Sequence, residues 1–290
     1  MKIIVNMACG LANRMFQYTY YLFLKKNGYN AVVDFYQSAK LAHEKVAWNE
    51  IFPAAKIEKA SYFDVLRLAG GADFLSKIRR KLFPVLTGVV NMPTAFDAML
   101  PERNEKDKYI MGVFQNAAVV ETVASEVKRC FSFVPFSDDF NKAVAIELDG
   151  CNSVGIHVRK GKDYMSRIWY QNTCPVEYYL KAVAKIKELV DCPKFFIFTD
   201  NPEWVKENFI GIDYKLVEGN PADGWGSHFD MQLMSMCKHN IISNSTYSWW
   251  GAFLNSNDNK IVVCPEIWFN PASCEEYTSG RLLCKHWIAL

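Results

Sequence analysis

Hydrophobic and polar positions in the first half of the chain predict a strand, a helix and a second strand. The apolar run at residues 2–7 predicts a short buried strand, and the periodic run at residues 15–26 predicts a helix that ends before Gly28. Residues 31–35 predict the next strand. Further along, helical stretches such as residues 62–82 alternate with loops and short apolar runs.

The second half of the chain has a sharper alternation. We predict strands at residues 154–158, 195–198, 240–242 and 261–264, and helices at residues 176–190, 229–237 and 246–254. Strands that alternate with helices in this way predict parallel, right-handed βαβ units and an α/β fold. A chain of 290 residues also exceeds the usual size of a single core. We therefore predict two domains, an N-terminal lobe at residues 1–150 and a C-terminal lobe at residues 151–290.

The charge and cysteine content exclude several classes of protein. The chain has 33 basic and 31 acidic residues and a net charge of +2, which is too balanced for a protein that coats nucleic acid. A basic binding site must therefore be local. The nine cysteines are scattered, with no Cys-x-x-Cys pair and no spacing typical of zinc ligands. They predict free thiols in a reducing compartment such as the cytoplasm.

One segment raises the question of membrane contact. Apolar residues nowhere run together for the length of a membrane-spanning helix, and the N-terminal apolar run is too short for a signal peptide. A basic cluster at residues 77–81, however, precedes an apolar stretch at residues 82–90 that Pro84 and Gly88 interrupt. We favour a helix end that leads into a buried segment, and peripheral attachment to the cytoplasmic face of a membrane stays the alternative.

The most chemically suggestive cluster follows the strand predicted at residues 154–158. Ligands of open α/β sheets bind at the carboxyl ends of strands, and here residues 157–164 bring a histidine, three cations, a glycine and a carboxylate. Arg159 offers a planar fork that grips phosphate oxygens and offsets charge on a departing diphosphate. The alternative is a solvated basic turn in which Arg159 pairs with Asp163 and His157 is a structural histidine.

A second cluster lies between the strand predicted at residues 240–242 and the helix predicted at residues 246–254. It places Asn244, Ser245 and Thr246 where a strand gives way to a helix. Hydroxyls and backbone N–H groups at a helix N-terminus suit an anion. The alternative is an ordinary N-cap followed by a tryptophan pair in the core.

Two further clusters are less specific. Residues 198–204 include the end of a predicted strand, which Asp200 follows. Residues 10–18 form a turn of small residues at the start of a helix. Each segment could serve only as a turn or a helix cap. The sequence has no Asp-x-Asp pair for a divalent ion, no Walker loop and no Gly-x-Gly-x-x-Gly. Cations and hydroxyls would have to take the place of a metal.

Together and in this order, the four clusters resemble glycosyltransferase family 11, the α-1,2-fucosyltransferases. Residues 10–18 are similar to a GLGNQMFQY opening, residues 157–164 to HxRRxDY, and residues 244–250 to NSSFSWW. The chain departs from these patterns at Ala12 and Arg14, and it has Lys160 and one extra residue, Lys162, in the second. Since alanine does not adopt positive φ as readily as glycine, we expect Ala12 to change the shape of the opening turn.

This resemblance implies a GT-B type fold, with two Rossmann-like lobes and a cleft between them. It implies inverting, metal-independent transfer of L-fucose from GDP-fucose to the 2-hydroxyl of a terminal galactose. The donor substrate would be GDP-fucose, with no cofactor, and the acceptor a galactose-containing oligosaccharide of a bacterial surface polysaccharide.

The resemblance also implies roles for individual residues. Arg159 would bind the β-phosphate, and His157 and Asp230 would approach the guanine or its ribose. The rest of the expected donor-binding set is Lys160, Asn244, Ser245, Thr246 and Ser248. Asn13 and Asp200 would lie on the fucose or acceptor side. The first candidate for the general base is Asp163, followed by Asp200 and Glu203.

Three alternative functions stay open. One is a fucosyltransferase of another linkage, such as α-1,6. Another is a non-catalytic carbohydrate-binding protein, for which the 14% aromatic residues could supply sugar-stacking surfaces. The third is a degenerate transferase that binds nucleotide as a regulator.

Overall fold

A computed structural model describes most of the chain and divides it into two compact units, Met1–Ser132 and Phe133–Leu290. The described residues are 1–35, 48–70, 78, 81–82, 88–103, 106–221 and 226–290, and the side chain of Asp163 lies outside the described set. Most of the basic and apolar segment at residues 77–90 also lies outside it. Over the part of the chain that is described, no helix is both long and apolar enough to cross a bilayer.

The first unit is built on a parallel sheet of four strands. Its strands are β1 (Lys2–Asn6), β2 (Asn30–Asp34), β3 (Val89–Asn91) and β4 (Lys108–Met111), in the order β2-β1-β4-β3. Its helices are α1 (Leu11–Lys26), α2 (Trp48–Ile51), α3 (Tyr62–Ala69), α4 (Ala117–Thr122) and α5 (Ala124–Cys130). The strands and helix predicted from the first 35 residues are confirmed.

The helix predicted at residues 62–82 is shorter than its apolar pattern suggests. Helix α3 begins at an N-cap, Ser61, whose hydroxyl accepts a hydrogen bond from the backbone N–H of Asp64 at 3.1 Å. It ends at Ala69 because Gly70 adopts a φ of 71°, which glycine reaches without steric cost. Residues 71–77 lie outside the described set.

The second unit is built on a parallel sheet of six strands. Its strands are β5 (Ser153–Val158), β6 (Lys194–Thr199), β7 (Tyr214–Leu216), β8 (His239–Ile241), β9 (Val262–Cys264) and β10 (Ile288–Ala289), in the order β10-β9-β8-β5-β6-β7. Its helices are α6 (Asp139–Asp149), α7 (Lys162–Met165), α8 (Val176–Leu189), α9 (Pro202–Asn208), α10 (Phe229–Met236) and α11 (Thr246–Leu254). Both units are therefore parallel α/β layers of the Rossmann type, and the fold class predicted from the sequence is confirmed.

Strand β5 is one of the two central strands of the second sheet and is buried along its whole length. In its register, Ile156 pairs with Ile197 of β6 on one side and with Ile241 of β8 on the other. Gly155 is required here, because a Cβ at this position would lie 2.9 Å from the Cys237 Sγ. The fixed register places the residues that follow β5, β6 and β8 at one edge of the sheet.

Two tryptophans anchor α11 in the core of the second unit. Trp249 and Trp250 are both fully buried, and their rings meet edge to face with centroids 4.9 Å apart. The Trp249 Nε1 also donates a hydrogen bond to the Leu282 carbonyl at 2.8 Å. The tryptophan pair is thus a packing element that fixes the position of the α11 N-terminus.

The boundary between the two units falls at residues 132–133, before the boundary predicted at residue 150. Helix α6 belongs to the second unit because its side chains contact that unit. Glu147 forms an ion pair with Lys215, and Asp149 forms one with Lys238 at 2.8 Å. The amino-acid composition of residues 133–150 does not reveal these ion pairs. The donor and acceptor roles assigned to the two lobes stay predictions.

Candidate active site

Three of the clusters singled out in the sequence meet at the carboxyl edge of the second sheet. Strands β5 and β6 are paired in parallel, as are β5 and β8, so the segments after Val158, Thr199 and Ile241 leave the sheet on the same side. Helix α10 connects β7 to β8 along the chain. Because a helix that connects parallel strands begins at the carboxyl edge of the sheet, the start of α10 also lies at this edge. The chain therefore brings Arg159, Asp200 and Ser245 to one end of one unit.

Arg159 is held at this edge by Asp200. The Arg159 Nη1 lies 3.0 Å from the Asp200 Oδ2, and the Asp200 Oδ1 accepts the backbone N–H of Lys160 at 2.7 Å. The Arg159 side chain nevertheless keeps 34% of its surface exposed, so a ligand can reach the guanidinium. Arg159 therefore forms an ion pair with a residue that follows the neighbouring strand. The pairing with Asp163 considered from the sequence concerns a side chain outside the described residues.

Asn201 locks the two loops that carry this ion pair. Its Oδ1 accepts the backbone N–H of Trp204 at 3.1 Å, which caps α9. Its Nδ2 donates to the Lys160 carbonyl at 2.9 Å. The loop after β6 is therefore tied to the loop after β5, and the orientation of Arg159 is fixed by both.

Tyrosines that sequence reasoning missed lie beside Arg159. The Arg159 guanidinium lies 5.5 Å from the ring centroid of Tyr164, within reach of a cation–π contact. Tyr164 stacks on Tyr170 with centroids 4.1 Å apart, and its hydroxyl donates to the Asn244 carbonyl at 3.2 Å. Burial raises the pKa of Tyr164 well above its usual value, so the hydroxyl stays a donor. The sequence did point to Tyr164, because it is the last residue of segment 157–164, which resembles the HxRRxDY pattern.

His157 is buried at the end of β5 and is neutral. Its Nδ1 lies 2.8 Å from the Ser243 Oγ, and its ring lies 5.8 Å from that of Tyr247. Burial, with a smaller contribution from the nearby Arg159, lowers the pKa of His157 to about 3. His157 can therefore offer a hydrogen bond to a base or ribose, as the resemblance implies, but no positive charge.

Asn244 holds the architecture of the edge together. Its Nδ2 donates to the Thr173 Oγ1 at 3.0 Å and to the Trp268 carbonyl at 2.8 Å. Its Oδ1 accepts from the Cys174 thiol at 3.3 Å, and its backbone N–H donates to the same sulfur at 3.3 Å. Both side-chain N–H groups are thus used inside the unit. A direct donor contact from this side chain stays a prediction, while its structural role is plain.

The three serine and threonine residues at the start of α11 differ in accessibility. Ser245 is the N-cap residue, is partly exposed, and makes no capping hydrogen bond with its side chain. Thr246 follows it and is also partly exposed. Ser248 is fully buried, and its Oγ donates to the Ser245 carbonyl at 3.2 Å. Ser245 and Thr246, with the first N–H groups of α11, therefore form the part of this helix that can meet an anion.

Lys160 points into the interior of the unit. It is 8% exposed, its Nζ donates to the Thr173 carbonyl at 3.1 Å and lies 5.2 Å from the ring centroid of Trp204. Burial lowers the pKa of its ammonium. These contacts give Lys160 a structural role, and its expected contact with the donor stays a prediction.

Asp230 lies in the first turn of α10 and is half-buried. Its Oδ1 accepts a hydrogen bond from the Asn220 Nδ2 at 2.8 Å. Burial raises the pKa of Asp230 to about 6, while the hydrogen bond from Asn220 opposes that rise. The expectation that this carboxylate approaches the base or its ribose is not tested by these contacts.

The opening segment belongs to the first unit. Asn13 lies in the first turn of α1, and its Oδ1 accepts from the Gln115 Nε2 at 3.1 Å. Ala12 also lies within α1, and the positive φ of the turn, 72°, is at Cys9 instead. The expected effect of Ala12 on the turn is therefore wrong, because a helical position requires no positive φ. The role of Asn13 stays a prediction.

In addition to Asp200, the candidates for the general base are Asp163 and Glu203. The side chain of Asp163 lies outside the described residues, although its backbone is part of α7. The Glu203 side chain is exposed and pairs with Lys206 at 3.0 Å. Among the residues that the structure describes, no group of three or more His, Cys, Asp or Glu side chains could hold a metal ion.

A protein-family model and several individual proteins match this chain. The model of the family described as "Glycosyl transferase family 11" matches residues 93–288. An alpha-1,2-colitosyltransferase of Escherichia coli is 27% identical over 311 aligned positions, which cover 99% of this chain and 98% of the relative. The O-antigen biosynthesis glycosyltransferase WbnK of the same species is 31% identical over 167 residues. That alignment covers 55% of each chain, so the chain spans about half the length of WbnK.

More distant relatives match over smaller parts or by fold alone. Galactoside alpha-(1,2)-fucosyltransferase 2 of Mus musculus is 28% identical over 109 residues, which are 36% of this chain and 31% of the relative. Among solved structures, NodZ alpha-1,6-fucosyltransferase soaked with GDP-fucose superposes with a TM-score of 0.50 at 16% identity. The superposition covers 87% of this chain and 92% of that chain, and it shows a shared fold.

Proposed function

Because this chain belongs to glycosyltransferase family 11, we propose that it transfers L-fucose from GDP-fucose to the 2-hydroxyl of a terminal galactose, with inversion and without a metal ion. Glycosyltransferase activity follows from the family itself, which argues against a non-catalytic carbohydrate-binding protein. The observation that carries the donor assignment is Arg159, which Asp200 anchors while a third of its side chain stays accessible. This is the arrangement that a diphosphate leaving group requires.

The proposed reaction is a single displacement at the anomeric carbon of the donor sugar. The acceptor oxygen forms a bond to that carbon from the face opposite GDP, and the bond from the carbon to the phosphate oxygen breaks. The departing GDP takes the electron pair, and the acceptor hydroxyl loses its proton to a base. Positive charge spreads over the ring in an oxocarbenium-like transition state, as in glycoside hydrolysis.

The residues at the sheet edge stabilise the departing diphosphate in this proposal. Arg159 offers two N–H groups to its oxygens, and Ser245 and Thr246 add hydroxyls beside the N-terminus of α11. Arg159 and the first N–H groups of α11 are held in place before the donor substrate binds, so little reorganisation of these groups accompanies the reaction. The cation and the helix terminus together perform the charge neutralisation that a divalent ion performs elsewhere.

Asp163 remains the first candidate for the base that accepts the acceptor proton. Both oxygens of Asp200 are engaged, one with Arg159 and one with the Lys160 N–H, so Asp200 is better suited to orient Arg159. We expect Asp163→Asn to lower turnover by roughly a hundredfold or more while the affinity for GDP-fucose stays close to normal. Steady-state kinetics together with calorimetric binding of GDP measure the two quantities separately.

A matched variant controls for the loss of one surface carboxylate. Glu207→Gln removes a charge from an exposed position on α9 and should leave both turnover and donor affinity unchanged. A loss of donor affinity in Asp163→Asn that equals its loss of turnover would assign Asp163 a structural role and leave the base unidentified.

A second candidate donor sugar is colitose, because the relative that matches nearly the whole chain is an α-1,2-colitosyltransferase. Colitose is fucose without its 3-hydroxyl, so the two donors differ by one polar group. A site that hydrogen-bonds this hydroxyl rejects the deoxy sugar strongly, whereas an apolar site discriminates weakly. Paired assays with GDP-fucose and GDP-colitose therefore separate the two candidates.

The experiment that tests the proposal is incubation of the purified protein with GDP-fucose and lactose in the presence of EDTA. We expect release of GDP and an α-1,2-fucosylated product, identified by NMR of the new glycosidic linkage. Activity that EDTA abolishes and Mg²⁺ or Mn²⁺ restores would contradict metal independence. An α-1,6 or other linkage would contradict the proposed acceptor position, and turnover with GDP-colitose alone would establish the second candidate.

A further inference from the structure

Asp230 is the end of a chain of polar side chains that begins on α6. Asp138 caps α6, and its Oδ1 accepts from both the backbone N–H and the Nδ2 of Asn141, at 2.7 and 3.0 Å. Asn141 and Asn220 then exchange hydrogen bonds between their side-chain amides, at 2.8 and 2.9 Å. The second N–H of Asn220 donates to the Asp230 Oδ1 at 2.8 Å. We call Asn141 and Asn220 the asparagine relay.

The relay permits only one orientation of the Asn220 amide. Its oxygen accepts from Asn141, one of its N–H groups donates to Asn141, and the other donates to Asp230. A flipped amide would turn its oxygen toward the carboxylate and its nitrogen toward a donor, and both contacts would become repulsive. Asn141 is 2% exposed and is fixed by the α6 cap, so Asp230 always faces an N–H group.

We propose that Asn220, held by Asn141, is a positioning residue that keeps Asp230 as an oriented, ionised carboxylate, and thereby makes the donor site select guanine over adenine. The inference rests on the proposed function, since it concerns the base of the same donor nucleotide. Neither asparagine belongs to the motifs that place the chain in its family. The approach of Asp230 to the base is what the family resemblance implies, and the role of Asn220 comes from the hydrogen bonds of the relay.

The chemistry of the two purines explains the selection. Guanine presents N1–H and an exocyclic amino group side by side, and a carboxylate can accept from both at once. Adenine presents an unprotonated nitrogen at the equivalent position, which a carboxylate repels. A protonated carboxylic acid could donate to that nitrogen, so protonation would weaken the preference. The N-terminus of α10 adds to the preference for the ionised form.

The surroundings of Asp230 make its charge depend on the relay. Burial raises its pKa to about 6, and the Asn220 hydrogen bond lowers it. Burial lowers the pKa of His228, which precedes α10, to about 4, so this imidazole is neutral. From α6, Asp138 has its pKa held below the usual value by the Asn141 N–H. From α11, the Tyr247 hydroxyl donates to the Ser227 carbonyl and accepts the Met231 N–H.

The sign of the pH effect follows from these shifts. Asp230 binds guanine when ionised, so donor recognition is present above its pKa and is lost as the pH falls through it. The Asn220 hydrogen bond lowers the pKa of Asp230. Without this hydrogen bond the pKa is higher, so recognition is lost at a higher pH as the pH falls. One charge-assisted hydrogen bond corresponds to a shift of about one pH unit or slightly more.

The test uses the full chain with Asn220→Ala and the weaker donor Asn220→Ser. For Asn220→Ala we expect kcat/KM for GDP-fucose to fall about twofold at pH 7 and about fivefold at pH 6, with the acceptor KM unchanged. The acid limb of that pH profile should move up by about one unit, and most of the loss should be recovered near pH 8.5. Asn220→Ser should recover part of the shift, because its hydroxyl can still donate. Asn208→Ala removes another half-buried asparagine, on α9, and should leave the profile unchanged.

A binding measurement separates this inference from the proposed transfer reaction. Calorimetric titration should show that the wild-type protein prefers GDP to ADP, and that Asn220→Ala reduces this preference more at pH 6 than at pH 8.5. If Asn220→Ala lost the same GDP affinity at all pH values, the asparagine relay would have only a packing role, and the inference would be wrong. An unchanged preference in a folded variant, checked by thermal unfolding, would overturn it as well. A protein that prefers GDP in this relay-dependent way but transfers no fucose would overturn the proposed function and leave the inference standing.

Discussion

Arg159→Ala is expected to lower kcat by roughly a hundredfold or more, because it removes a preorganised donor to the leaving diphosphate. The loss should appear in kcat as well as in the KM for GDP-fucose, since the guanidinium meets more negative charge in the transition state than in the bound donor. Initial rates of GDP release at saturating acceptor give both constants. Near-normal turnover in this variant would refute the assignment of Arg159.

Two further variants distinguish the shape of the arginine from its charge. Arg159→Lys keeps the positive charge but loses the planar fork, so we expect it to recover a minor part of the lost rate. Arg129→Ala removes an arginine with a side chain that is 66% exposed in the other unit, and it should leave kcat unchanged. Full activity in Arg159→Lys would show that charge alone is needed and that bidentate geometry is not.

Asn244→Ala is expected to destabilise the fold by about 3 kcal/mol, the second large effect. The substitution leaves the Thr173 hydroxyl, the Trp268 carbonyl and the Cys174 thiol without their buried partner. Unsatisfied groups of this kind each cost about 1–3 kcal/mol, with partial relief from relaxation and water. Urea unfolding followed by tryptophan fluorescence measures the difference in free energy of unfolding.

An exposed asparagine provides the comparison. Asn259→Ala changes the same side chain on the surface and should stay within about 0.5 kcal/mol of the wild-type protein. If Asn244→Ala instead retained full stability and raised the KM for GDP-fucose, the donor contact implied by the family resemblance would be correct. The structural role described above would then be secondary.

The elements of the second unit were predictable where apolar runs are long and buried. Strands β5 and β6 lie within a residue or two of their predicted bounds, because both are apolar along nearly their whole length. Strands β7 and β10 were missed. β7 has three residues and no fully buried position, and β10 has two residues, so neither edge strand produces an apolar run.

The site was predictable as a list of residues but not as a set of contacts. The motif residues follow strand ends, and parallel pairing brings strand ends together, so the meeting of Arg159 with Ser245 at one edge could be anticipated. The ion pair of Arg159 with Asp200 could not be anticipated, because the two residues follow different strands and are far apart along the chain. Asn220 lies in a loop with no motif, and only the folded chain shows that it contacts Asp230.

The ion pair between Arg159 and Asp200 has a consequence for the end of the catalytic cycle. An arginine that already has a carboxylate partner binds an incoming diphosphate less tightly than an unpaired one, because the two anions compete for the same cation. In the proposed reaction the same carboxylate is in place when GDP departs, and we expect it to replace the phosphate oxygens as they leave. We therefore expect Asp200 to lower the affinity for GDP along with that for the donor substrate, which would favour rapid release and repeated turnover.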